Sequence, residues 1–251
     1  MCQIPRSKVL LPLYIYPDPG AWDPLFAATS AHPTLEFILI VNPNNGPGSE
    51  PWWPNADYVR EIPRLNAQPN VRIVGYVFTA YCKRPNEEVC ADIAKYAEWS
   101  KDGKYQGLGV AGIFFDETPN LFSDEAKTYL DVITQRVKDS EGILGDRIVI
   151  HNPGTAVDWR LASRRLDIAT VAEVAHAEFQ TMEYQNWLAT SSFGRAKTSY
   201  MVHGVPEEKI EDFVRVVRKM AEYIFATSLR VNYYQSFGPS WNRFLFAMAK
   251  E

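Results

Sequence analysis

Two carboxylates, Asp116 and Glu117, close the apolar run GIFF at 112–115. A third, Glu173, ends the run TVA at 170–172, with no Lys or Arg within seven residues on either side. An acid at the end of an apolar segment is costly unless it binds a cation, pairs with a charge or performs chemistry. Acids on two such segments, facing each other, are what glycoside hydrolysis needs: one protonates the leaving oxygen, the other attacks or activates water. A helix cap or an arginine partner accounts for any one of these acids taken singly. Glu178, five residues after Glu173, competes for the role of second acid, although its position reads as loop.

Other chemistries have less support. His32, His151, His176 and His203 show neither H-E-x-x-H nor H-x-H spacing, so no metal site is expected. The glycine-containing stretch NPNNGPGSEPWWP at 42–54 lacks the G-K-[ST] ending of a phosphate loop, and its prolines remove N–H donors. It reads instead as a loop over the site, with Trp52 and Trp53 as sugar platforms. No G-x-S-x-G elbow supports a serine hydrolase, and no G-x-G-x-x-G follows the first strand, so no cofactor is expected. Of three cysteines, Cys2, Cys82 and Cys90, the last two lie eight apart around a loop and could form one bridge.

The elements that must position these acids are legible as alternation. Apolar runs begin at Val9, Glu36, Arg72, Val110, Arg147, Ile168, Lys197 and Ser228, about 31 residues apart, the size of one strand–helix unit. Most are continuously apolar, as parallel strands covered by helices should be. Between them, Ala126, Tyr129, Leu130, Ile133 and Val137 form one helical stripe behind an N-cap at Ser123, and Ile210, Phe213, Val214, Val217, Ala221 and Ile224 form another. Further helices are expected over 86–101 and 241–250, a shorter one over 156–166 and another over 179–190. With no break in composition across residues 1–251, this pattern predicts a single (β/α)8 TIM barrel. Pro12 is expected at the start of its strand, since barrel strands have no free edge. A net charge of −4 argues against nucleic acid as partner, and no apolar run reaches 18 residues.

In such a barrel the active face gathers the strand ends that feed the helices. They supply Tyr16 and Asp18, Asn42 and Asn44, Thr79 and Tyr81, Asp116 and Glu117, His151 and Asn152, Glu173, His203, and Tyr233 with Tyr234. Asparagines both donate to and accept from sugar hydroxyls, and rings stack on sugar C–H faces. The set predicts Asp116 as nucleophile or charge stabiliser, Glu173 as general acid/base and Glu117 as an assistant that positions substrate or tunes its neighbour's pKa. The neutral-polar and aromatic remainder should bind substrate.

The segments PLYIYPDPGAW (12–22), IVNPNNGPG (40–48), GYVFTAY (75–81) and GIFFDE (112–117), followed by the strand ending in Glu173, resemble in order the spherulin-4-like proteins. These fungal, slime-mould and bacterial proteins include glycoside hydrolase family 135. The resemblance runs from about Val9 to Tyr234. It implies a (β/α)8 hydrolase, an endo-α-1,4-N-acetylgalactosaminidase acting on the exopolysaccharide galactosaminogalactan of fungal biofilm, with Asp116, Glu117 and Glu173 at the family's acidic positions. This chain reads VAEVAHAEF where the family suggests an aromatic before the Glu and a Gly-Ser-Tyr-like stretch after it, so Glu173 and Glu178 both stay in play. The family's habit implies a secreted or cell-wall protein, here expected to act as a monomer, with Cys82 bonded to Cys90. A non-catalytic carbohydrate-binding or cell-wall and spore-coat protein is one alternative that fold alone does not exclude, and a hydrolase of a related α-galactosaminide linkage is another. Retention of configuration is the expected outcome of hydrolysis.

Overall fold

The computed structural model describes residues 6–48 and 54–250. Eight parallel strands close into a barrel in sequence order: β1 (Lys8–Leu13), β2 (Phe37–Val41), β3 (Val71–Phe78), β4 (Gly112–Asp116), β5 (Ile148–Asn152), β6 (Ile168–Ala175), β7 (Thr198–His203) and β8 (Tyr223–Ala226). The helices are α1 (Asp23–Ala31), α2 (Ala56–Asn66), α3 (Asn86–Trp99), α4 (Asp124–Asp139), α5 (His176–Phe179), α6 (Met182–Leu188), α7 (Ile210–Val217) and α8 (Trp241–Ala249). This is the expected (β/α)8 TIM barrel. Ser123 caps α4 as its sequence suggests, its Oγ accepting from Ala126 N at 3.0 Å.

Three expectations about elements need correction. The eighth strand is YIFA at 223–226, not the run beginning at Ser228, which is a loop. The apparent helical stripe through Ala221 and Ile224 is coincidence: α7 stops at Val217, and Ile224 pairs with Val9 and Tyr200. Aromatic and β-branched residues at 223–225 suit a pleated, buried strand better than a further helical turn. Over 156–166 only the 3-10 turn Trp159–Leu161 forms, with Asp158 as its N-cap accepting from Arg160 N and its own N–H donating to Asn120 O. The segment 179–190 is broken at Gln180, after which Thr181 caps α6.

Pro12 lies within β1, paired with Ile40, rather than at its start. Lys8 N donates to Glu222 O and Val9 N to Glu36 O. Alternation therefore aims the N–H positions of Lys8, Leu10 and Pro12 at β8. The β1–β8 ladder covers only Lys8 and Val9, so the donor that proline lacks has no acceptor waiting for it.

Packing of the outer layer shows at Gly75, where α3 lays the Tyr96 ring directly on the strand backbone. The Tyr96 hydroxyl donates to Tyr76 O at 3.0 Å, and a Cβ on Gly75 would stand 2.5 Å from the ring. The ring is enclosed and cannot yield by rotating a flexible tip. Gly75→Ala should lower the unfolding free energy by roughly 1–3 kcal/mol, readable as a fall in urea midpoint at unchanged slope. An unchanged midpoint would mean that α3 shifts freely.

Candidate active site

The strand pleat decides which side chains meet. On β4, Phe115 meets His151 edge-on, and His151 Nε2 lies 3.1 Å from Thr134 Oγ1 on α4, so this face looks outward to the helices. Phe114 packs on Tyr76 with ring centroids 6.2 Å apart, and two residues on, the carboxylate of Asp116 receives the Tyr76 hydroxyl at 2.8 Å. Asp116 and Phe114 thus share the inward face.

Asp116 Oδ1 also accepts from Glu117 N at 2.8 Å and from Asn152 Nδ2 at 2.7 Å. The same Asn152 nitrogen donates at 2.7 Å to Glu173 Oε2. Those two oxygens are therefore no more than twice 2.7 Å apart. Glu173 Oε1 accepts from the hydroxyl of Tyr234. No lysine or arginine among the described residues pairs with either acid; tyrosines, one amide and a backbone N–H do the work. Burial pushes the Glu173 carboxyl above its ordinary pKa, against the opposing pull of the Tyr234 and Asn152 donors, and the charge of Asp116 adds to the rise. Tyr14 meets both Tyr76 and Tyr234 edge-on, with centroids 5.7 and 5.2 Å away. Burial and the nearby acids push the pKa values of all three phenols upward, so they remain donors.

Glu117 lies just beyond the strand with φ 53°, a left-handed conformation. Its carbonyl accepts from Thr79 Oγ1 at 2.8 Å and Tyr81 N at 2.7 Å. Ala80, Tyr81 and Cys82 also have positive φ, 49°, 54° and 65°, an uncommon run for non-glycine residues. Backbone strain of this kind collects where a loop must hold a side chain in place. Here it ties the Tyr81 backbone to the Glu117 carbonyl and leaves the Tyr81 side chain 59% exposed.

The remaining site expectations divide. His203 stacks on Tyr233 with centroids 4.1 Å apart and planes 5° off parallel, and Tyr233 touches Tyr234, so both belong to the cluster. Tyr16 stands on the rim, its hydroxyl donating to Asp57 Oδ2 and accepting from Asn55. Asp18 and Asn44 are exposed on turns. Asn42 uses its side-chain oxygen to accept Gly46 N, shaping its own loop. Trp52 and Trp53 lie outside the described residues. Thr79 is not a mouth residue: it is buried and ties the β3 loop to the carbonyls of Asp116 and Glu117. His151 is not one either, since the pleat turns it outward while Asn152 turns in. Glu178 sits exposed on α5, and it is Glu173 that the fold brings to Asp116. Tyr14 and Tyr76 were missed. Period-two counting back from Phe78 would have put Tyr76 on the inward face.

The bridge between Cys82 and Cys90 does not form; both are free thiols. Cys82 is held in the left-handed turn against the core, where burial pushes its thiol up to about 12, and Cys90 is on α3. Arg84 fastens this loop instead, pairing with Asp92 at 2.6 Å and donating to Phe78 O. No cluster of metal-ligating side chains occurs among the described residues. An apolar cavity of about 430 Å³ between α5 and α7, lined by Phe179, Phe213, Val216 and Met220, shares no residue with the acids.

His151 gives the fold a pH dependence. Burial pushes its pKa down to about 3, with Asp131 opposing and Lys127 reinforcing the fall. Below pH 6.5 the unfolded chain takes up a proton that the native imidazole refuses, so stability is complete above 6.5 and declines as pH drops toward 3. The loss approaches about 1.4 kcal/mol per pH unit. Glu173, whose pKa is raised, acts with the opposite sign. Urea midpoints at pH 7 and 4.5 should therefore fall less in His151→Gln than in wild type. Equal falls would remove His151 as the cause.

Comparison with known proteins fits this geometry. Sph3 of Aspergillus clavatus, solved in complex with GalNAc, superposes with a TM-score of 0.93 at 41% identity, covering 98% of each chain. A mannanase of Bacillus subtilis shares only the fold, with a TM-score of 0.51 and 12% identity over 95% of this chain and 87% of its own. Spherulin-4 of Physarum polycephalum is 34% identical over 193 residues, 77% of this chain; the chain spans about half, 52%, of that relative's length. The family model described as spherulation-specific family 4 matches residues 8–248, which takes in every strand of the barrel and each acid at its mouth. The chain belongs to the spherulin-4 family.

Proposed function

We propose that the protein is an endo-acting glycoside hydrolase that cleaves α-1,4-linked N-acetylgalactosamine within galactosaminogalactan, outside the cell. One observation carries this reading: two carboxylates from β4 and β6 meet at a single amide nitrogen, and among the described residues no Lys or Arg pairs with either. A binding protein needs rings and amides but gains nothing from paired, uncompensated acids. The GalNAc complex of Sph3 supports the sugar class.

In this mechanism Asp116 attacks the anomeric carbon while Glu173, its pKa raised by burial, protonates the departing glycosidic oxygen. Glu173 then takes a proton from the water that releases the sugar from Asp116. The short reach between the carboxylates, within twice 2.7 Å, supports retention, for which about 5–5.5 Å is typical, over inversion at about 6.5–9.5 Å. Tyr76 holds Asp116 in line and Tyr234 holds Glu173. Incubation with purified galactosaminogalactan and with unrelated glycans tests the reading. Released oligosaccharides from the first alone are expected; intact polymer that remains bound would favour the carbohydrate-binding alternative.

A further inference from the structure

The long connection from β6 to β7 carries α6, which turns its side chains two ways. Tyr184 and Leu188 pack toward the core, whereas Trp187 remains 42% exposed. Its indole nitrogen is nonetheless fixed, donating at 2.7 Å to Thr155 Oγ1 on the loop after β5. Thr155 follows Gly154, whose carbonyl accepts from Glu173 N at 2.9 Å and whose N–H donates to Asn152 Oδ1 at 3.1 Å. The loop that anchors the indole is therefore the loop that seats both the acid and the amide joining it to Asp116.

We infer that Trp187 is the stacking platform of a sugar subsite next to Glu173, taking an uncharged hexosamine ring of the polymer beyond the residue at the cleavage point. The ligand class rests on the function proposed above. Held by its polar edge and 42% exposed, the indole offers apolar ring surface to water, and Trp187 is not among the residues that pack on the core. A neutral ring face with a fixed edge suits the C–H face of a pyranose. An endo-acting enzyme gains from such a platform beside the acids, where it holds a chain that extends past the bond cut, and the β6–β7 connection leads away from the strand that carries Glu173. The position was not legible in sequence, because nothing there says that α6 reaches across to the β5 loop.

The test is calorimetric titration of Asp116→Asn protein, which should bind without cleaving, with α-1,4-N-acetylgalactosamine oligosaccharides of increasing length. Adding Trp187→Ala should weaken binding of the longer oligosaccharides by roughly three- to tenfold. Trp187→Gln, which has no ring but keeps an N–H able to reach Thr155, should lose as much, while Trp187→Phe should lose no more than about twofold. Parent-like binding by the Ala and Gln variants at every length would overturn the platform. So would a Phe variant as weak as the Ala variant, because the bond to Thr155 would then be what matters. Hydrolysis of the same oligosaccharides by the wild-type protein is read separately. Cleavage without Trp187-dependent binding sinks only the platform, and Trp187-dependent binding without cleavage sinks only the hydrolase.

Discussion

Asp116→Asn and Glu173→Gln should each lower the proposed hydrolysis of galactosaminogalactan by about a thousandfold or more, while the thermal midpoint should stay near that of wild type. Both substitutions keep shape and hydrogen bonds. In Asp116→Asn the amide oxygen still accepts from Asn152 and Glu117 N, and the new amide nitrogen can donate to the Tyr76 hydroxyl. In Glu173→Gln the oxygen accepts from Asn152 and the nitrogen turns to the Tyr234 hydroxyl. What is lost is the nucleophile in the first and the transferable proton in the second. The two variants separate by pH. A general acid must be protonated, so kcat/KM of wild type falls as pH climbs through the raised pKa of Glu173. That alkaline limb persists in the residual activity of Asp116→Asn and vanishes from Glu173→Gln. Substantial turnover in either variant, or an unchanged alkaline limb in Glu173→Gln, would remove the assignment.

The alternation of apolar runs and helical stripes exposed the barrel because a parallel strand buried on both faces has almost no choice of residue. The same logic located Asp116 and Glu173, since an acid breaking such a run stands out. It failed at β8, where four residues, YIFA, are too few to outweigh a stripe that α7 happens to prolong. It also misjudged His151 and Thr79, whose types suit a sugar site. Only the pleat says that His151 faces Thr134 on α4, and only the loop path shows that Thr79 holds the carbonyl of Glu117. Residue type predicts capability, while direction belongs to the backbone. The bridge between Cys82 and Cys90 failed for a related reason: eight residues of spacing do not record a turn through three left-handed residues.

Asn152 shows how direction changes a role. Its type suggested contact with substrate, yet it is buried and its hydrogen-bonding capacity is engaged within the protein. The amide nitrogen serves Asp116 and Glu173, and the oxygen takes Gly154 N. Removing it should therefore leave sugar binding almost intact and disturb the acids. Asn152→Ala withdraws the donor that each carboxylate shares and leaves two like charges facing each other. Both changes disfavour the ionised form of Glu173 and push its pKa further up. Asp116 also loses one of the three donors that fix its aim. The expected result is a fall in kcat of roughly a hundred- to thousandfold, with KM within about threefold of wild type. The alkaline limb of the remaining activity should move to higher pH. Asn152→Asp should be worse than Ala, because a third carboxylate replaces the donor. A variant that instead raises KM and spares kcat, with its pH profile in place, would return Asn152 to the sugar and leave the two acids without a common support.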